Sequence, residues 1–346
     1  MNTYFPFVKE ALTYDDVLLV PQISNIKSRK EIDLSTNLCS NVRLTLPVIS
    51  SPMDTVSESA MATAMHNHGG LGVIHRYNTI ERQTEHVRAV LENNPEAQVA
   101  AATGVAGDFL DRAVALVAAG ATIICIDVAH GHHVLMKRAL TFIKDAFGES
   151  VHLMAGNVAT REGFEDLAEW GADSVRCNVG GGSICSTRIQ TGHGVPGLQT
   201  IIDCARSGHN AAIIADGGLR NSGDIVKALA AGADAVMLGS MLAGTNETPG
   251  TAVTAPDGQQ YKLYRGMASK EAQVEWRGEY SSNEGVSTKI PIKGPVDDVL
   301  TDLRNGIASG LSYSGARNLT SLWTRAKWVR QTPAGQKESK THILPT

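Results

Sequence analysis

Short apolar runs recur along the chain every few tens of residues, at 47–51, 72–75, 99–103, 122–128, 152–155, 174–179, 212–215 and 235–238. Most are rich in Val, Ile, Ala or Met and run into Gly, Asp, Ser or His, the pattern of a strand buried on both faces. Between them, apolar residues at helical spacing predict helices over 80–93, 108–119, 133–147, 160–170, 197–207 and 222–231. Three of these close on Ala-Gly-Ala or Trp-Gly-Ala (119–121, 231–233 and 170–172), where glycine supplies a left-handed stop. Strand and helix in alternation describe βαβ units. Eight such strands predict an α/β fold of the (β/α)8 TIM-barrel type rather than an open doubly wound sheet.

From about 247 to 293 this rhythm breaks into Gly, Ser and charged residues, including Glu271, Glu275, Glu279 and Glu284. That predicts an inserted mobile flap after the eighth strand. The tail, about 328–346, is polar and basic and shows no evident core face. The chain, 1–346, is therefore expected to form a single barrel domain carrying a flap and a tail.

Composition narrows the partners. With 31 Lys+Arg against 35 Asp+Glu the formal charge is −4, which provides no electrostatic reason to expect nucleic acid or an anionic membrane. A small-molecule ligand fits better. Glycine is abundant, at 34 residues, and aromatics make up only 5%, which suits many tight turns and backbone surfaces that a ligand approaches closely. The five cysteines form no CxxC pair, the N-terminus lacks a charged segment followed by an apolar one, and no apolar run approaches the roughly 18 residues that span a bilayer. A cytoplasmic enzyme is expected.

In a barrel of this type the chemistry belongs to the loops that follow the strands. One of them reads Gly180-Gly181-Gly182-Ser183-Ile184-Cys185-Ser186-Thr187-Arg188. Its glycines leave backbone N–H groups unshielded around the Cys185 thiol, a setting that favours a thiolate nucleophile over an apolar filler. Cys125 and Cys177, inside strands, suit the filler role. Thr187 brings a hydroxyl near the same sulphur. Gly217-Gly218 and Gly239-Ser240 follow the seventh and eighth strands, where this fold most often binds phosphate through main-chain N–H groups. Asp216, just before the first pair, could accept bonds from ribose hydroxyls. The histidines at 130, 132 and 133 lack the helical i, i+4 spacing of a zinc site, and no GxGxxG fingerprint joins a strand to a helix.

The 180–188 loop resembles the catalytic loop of the IMP dehydrogenase and GMP reductase family, usually Gly-x-Gly-Ser-Ile-Cys-Thr-Thr-Arg. The likeness continues through Leu12 to Pro21, Pro52-Met53-Asp54-Thr55-Val56, Ala155-Gly156-Asn157-Val158, Ala215-Asp216-Gly217-Gly218, Met237-Leu238-Gly239-Ser240, Tyr264-Arg265-Gly266-Met267 and Lys293-Gly294-Pro295-Val296. Members are barrels, commonly homotetramers, that act on a purine nucleotide through a cysteine adduct at C2. The resemblance implies Cys185 as nucleophile, with Thr187 and Glu284 as its acid–base partners. It implies Asp216 at the ribose, Ser51, Gly217, Gly218, Gly239, Ser240 and Tyr264 around the phosphate, and Ser183 as a further substrate contact. Met53, Gly266, Met267 and Glu284 would face the base. Asp127, Val128, Ala129, Asn157 and Arg176 would hold a nicotinamide cofactor, and carbonyls of Gly180, Gly182 and Cys185 a monovalent cation such as K+.

Dehydrogenases of the family hydrolyse the adduct with an Arg-Tyr pair on the flap, whereas reductases expel ammonia from GMP and use NADPH. Here the stretch from Tyr264 to Lys293 is short and has no Arg-Tyr dipeptide, and residues 279–285 resemble the reductase pattern Glu-Tyr-Arg-x-x-Glu-Gly. The passage from Arg76 to Gln98 also has no room for the paired regulatory insert of most dehydrogenases. These features imply a GMP reductase. Other features resemble a dehydrogenase: Leu18 to Pro21, Ala129-His130-Gly131, and the tail with Gly335 and Glu338-Ser339. An IMP dehydrogenase without the regulatory domain is the alternative, and a non-catalytic nucleotide-binding subunit the lesser one. Asn178 and Gly181 depart from both patterns, standing where glycine and proline are usual.

Overall fold

A computed structural model describes residues 8–281 and 283–341. Eight parallel strands close into a barrel in chain order: β1 (Val48–Ser50), β2 (Leu71–Ile74), β3 (Ala100–Thr103), β4 (Ile123–Asp127), β5 (His152–Val158), β6 (Ser174–Cys177), β7 (Ala212–Asp216) and β8 (Ala235–Leu238). All eight match the apolar runs to within a few residues. Their two faces explain why the runs are continuously apolar. Ile123, Cys125, Met154, Ile214 and Met237 fill the barrel interior, whereas Ile124, Ile126, Leu153, Val175 and Val236 pack outward against the helices. A hairpin of Thr36–Cys39 and Val42–Leu44 adds Leu38, Val42 and Leu44 to the interior cluster.

The helical spacing locates six of the eight surrounding helices: α2 (Ile80–Asn93), α3 (Phe109–Ala118), α4 (Val134–Phe147), α5 (Arg161–Glu169), α6 (Gly197–Cys204) and α7 (Ser222–Ala230). Two further helices complete the ring, α1 (Ser59–Asn67) and α8 (Val296–Tyr313). In α1 the buried face consists of Met61, Ala62 and Met65 among small and polar neighbours, a weak periodic signal. Helix α8 buries Val296, Leu300, Leu303, Ile307 and Leu311, an ordinary helical stripe beyond the flap.

The flap departs from the expected loop. It contains a three-stranded antiparallel sheet (Val253–Thr254, Gln260–Arg265, Ser287–Pro291) and a helix, Lys270–Arg277. Two lysines, Lys262 buried and Lys293 exposed, fasten its base to the barrel. Lys262 Nζ donates to the carbonyls of Thr245, Asn246 and Thr248 at 3.1, 3.1 and 2.6 Å, and Lys293 Nζ to those of Ser240 and Met241 at 2.8 and 3.1 Å. Arg265 Nε reaches Asp54 in the loop after β1 at 2.9 Å. The described part of the tail also has a partner: Trp328–Arg330 pairs antiparallel with Val17–Leu19 in a two-stranded ribbon, and residues 342–346 lie outside the described residues. No helix among the described residues is long and apolar enough to cross a membrane.

Candidate active site

Parallel register brings the strand ends to one rim. Asp127 pairs with Gly156, Gly156 with Arg176, and Asp216 with Met237. Between Gly156 and Val158 the register slips by one residue, so Asn157 is the extra residue of a bulge, a device that re-aims a side chain. Its Nδ2 donates to Asp216 Oδ2 at 2.8 Å. Around this rim lies a cavity of about 410 Å³, and every site residue expected from the sequence lines it, from Ser51 and Met53 through Asp127 to Glu284.

Arg176 organises the floor. It is buried, donates to Asp127, and reaches Asp216 Oδ2 through Nε at 3.0 Å and Nη2 at 2.8 Å. Burial alone would favour the neutral form, but the two carboxylates outweigh it and hold the guanidinium charged, well above its ordinary range. The neighbouring Cys125 thiol is pushed up to about 12 by burial, so it stays protonated and inert. Asp216 thus enters the cavity already oriented by three donors, all on Oδ2.

Cys185 is partly exposed, with Sγ 3.1 Å from Thr187 Oγ1. Its surroundings come from the flap. Cys185 and Gly285 form an antiparallel bridge, Ser186 N–H donates to the Glu284 carbonyl at 2.9 Å, and Val286 N–H to the Ile184 carbonyl at 3.0 Å. Ser186 Oγ adds a bond to the Asn283 carbonyl at 3.1 Å. This short ribbon fixes Glu284 beside the Cys185–Thr187 pair, although about a hundred residues separate them in sequence.

At the other end, Gly217 and Gly218 have φ of +78° and +77°, successive left-handed positions that favour glycine. Gly239 is tighter: a Cβ there would lie 3.0 Å from Tyr264 Oη and 3.1 Å from Met53 Sδ. The hydroxyl-bearing residues Ser51, Ser183, Ser240 and Tyr264 line the cavity here, donors suited to an anion. Burial raises Tyr264 above the usual phenol range, so it remains a neutral donor.

Sequence reasoning missed the flap-facing wall. Arg76 and Tyr77 follow β2, and the rule that favours strand-end loops could have found them. Tyr77 stacks on Trp276 with centroids 4.2 Å apart, and its hydroxyl donates to the Met267 carbonyl at 2.7 Å. The guanidinium of Arg76 lies 5.4 Å from the Trp276 ring and that of Arg277 4.5 Å, so two cations flank the stack. Of the carbonyls expected to hold a monovalent cation, that of Gly182 already accepts the Cys185 N–H at 3.1 Å. The histidines after β4 take local roles: His132 Nε2 meets Asp166 at 2.7 Å, and His133 Nδ1 caps α4 by accepting the Leu135 N–H.

The IMP dehydrogenase / GMP reductase domain model matches residues 11–342. Among curated proteins, the chain is 35% identical to the inosine-5′-monophosphate dehydrogenase of Nitrosopumilus maritimus, covering 96% of this chain and 98% of that protein. It is 32% identical to the GMP reductase of Leishmania major, covering 98% of each. Among solved structures, a cysteine-to-alanine variant of GMP reductase from Trypanosoma brucei in complex with guanosine 5′-monophosphate superposes with a TM-score of 0.91 at 32% identity, covering 98% of this chain and 99% of that one. The barrel, the cysteine loop and these matches together show that the chain belongs to the IMP dehydrogenase / GMP reductase family of oxidoreductases.

Proposed function

We propose that the enzyme converts GMP to IMP and ammonia with NADPH, through a covalent adduct between Cys185 Sγ and purine C2. The observation that carries this reading is the main-chain ribbon joining 184–186 to 284–286, which brings Glu284 to the loop of Cys185 and Thr187 in a cavity that all three line. As Sγ bonds to C2, the bond from C2 to the exocyclic amine breaks. The departing nitrogen needs a proton, and Glu284 with Thr187 forms the relay that supplies it, a role worth roughly 10²–10⁴-fold. Asp216, fixed by Arg176 and Asn157, holds the ribose, and the Gly217–Gly218 and Gly239–Ser240 turns hold the phosphate. Met53, Gly266 and Met267 confine the base.

NADPH supplies the hydride that replaces sulphur at C2. Asp127, Val128 and Ala129 line its side of the cavity, and the guanidinium groups of Arg76 and Arg277 give that wall a positive charge suited to a dinucleotide. The thiol proton leaves with ammonia, so Thr187 would pass a proton taken up from water to the leaving thiolate. A cation at the carbonyls of Gly180, Gly182 and Cys185 would brace the loop and take no part in bond-making.

A second reading, IMP oxidation by NAD+ with water, is favoured by Arg277 at the cavity wall, where it could activate water. Absorbance at 340 nm separates the two. GMP with NADPH should lose absorbance, whereas a gain with IMP and NAD+ and no change in the first mixture would make the enzyme a dehydrogenase.

A further inference from the structure

Asn178 stands at the end of β6 with φ of 151°, the one non-glycine residue of positive φ among the described residues. Such backbone is rarely adopted by an L residue and persists where its surroundings hold it. The residue is 3% exposed, and its side chain is fully engaged. Nδ2 donates to the Asp216 carbonyl at 2.9 Å and the Gly217 carbonyl at 3.3 Å, while Oδ1 faces Arg188 Nη2 at 3.5 Å. The main-chain carbonyl accepts from Asn157 Nδ2 at 3.1 Å. One amide therefore clips the loop that carries Cys185 to the turn after β7.

Gly181 makes this possible. A Cβ at position 181 would lie 2.1 Å from Asn178 Nδ2, so a side chain there must evict the amide. The two departures from the family motif are thus one feature.

Carbonyl and N–H point in opposite directions across a trans peptide. Holding the Gly217 carbonyl towards Asn178 turns the Gly218 N–H the other way. We propose that Asn178 and Gly181 form a positioning clip, which aims the Gly218 N–H at the phosphate of the bound nucleotide. This role rests on the nucleotide reading above.

A double-mutant cycle on the full chain tests it, with Asn178→Gly, Gly181→Ala and both together, read by thermal midpoint and by dissociation constants for GMP and guanosine. Asn178→Gly accepts the unusual φ and removes the clip. It should weaken GMP about tenfold, the effect of one misaimed charge-assisted hydrogen bond, and leave guanosine within twofold. Asn178→Asp, of the same shape but without the donor, should reproduce that loss. Gly181→Ala should weaken GMP and lower the midpoint in the natural background, yet be silent beside Asn178→Gly. Equal losses for GMP and guanosine, or a Gly181→Ala effect that is the same in both backgrounds, would overturn the proposal. A natural enzyme that binds neither GMP nor IMP overturns the phosphate role together with the nucleotide reading. In that event, coupling between the midpoints still decides whether the clip exists.

Discussion

Cys185 meets the cavity partly exposed, with one hydroxyl at 3.1 Å and a carboxylate delivered by a separate segment. In the proposed reading nucleophile and anchoring groups are spatially divided, since the Gly217–Gly218 and Gly239–Ser240 turns and Asp216 would hold the nucleotide without help from sulphur. Cys185→Ala should therefore abolish turnover while the dissociation constant for GMP, measured by calorimetry, stays within about threefold. A loss of binding equal to the loss of turnover would place the thiol among the anchors instead. Most of these residues were legible in the sequence because they sit in motifs directly after strands. The resemblance implied Arg176 only as a cofactor contact, and its bonding to two carboxylates was not legible. That it joins Asp127 to Asp216 depends on strands β4, β6 and β7 meeting in a register no local pattern encodes.

The flap is the element whose structure the sequence concealed most. Two of its three strands are largely exposed, so they lack the apolar runs that announce the barrel strands. What orders the segment is long-range: the carbonyl cage around Lys262, the Arg265–Asp54 pair and the stack of Tyr77 on Trp276. Aromatic stacking is worth about 0.5–1.5 kcal/mol beyond buried area. Trp276→Ala should therefore raise KM for the nicotinamide cofactor roughly 3- to 10-fold, with Trp276→Phe partly restoring it and GMP affinity unchanged. An equal fall in GMP affinity would show that the stack supports the purine end rather than the flap.

At the scale of the whole molecule, the barrel is a frame that brings eight strand ends to one rim, and the flap adds a ninth contribution from outside the βα pattern. The alternation of apolar runs and helical stripes sufficed to predict the frame, since each strand is buried on both faces. Helix α1 escaped because Ala and Met at its core positions carry little contrast with their neighbours. The choice between the family's two reactions lies at this scale too, because it depends on which flap residues meet the cysteine loop. The most direct test is a single-turnover reaction of enzyme, GMP and NADPH in which ammonia and NADPH oxidation are measured together. One ammonia is expected per NADPH consumed, with Glu284→Gln slowing ammonia release more than cofactor oxidation from the preformed adduct. NADPH oxidation without ammonia, or ammonia release untouched by Glu284→Gln, would contradict it.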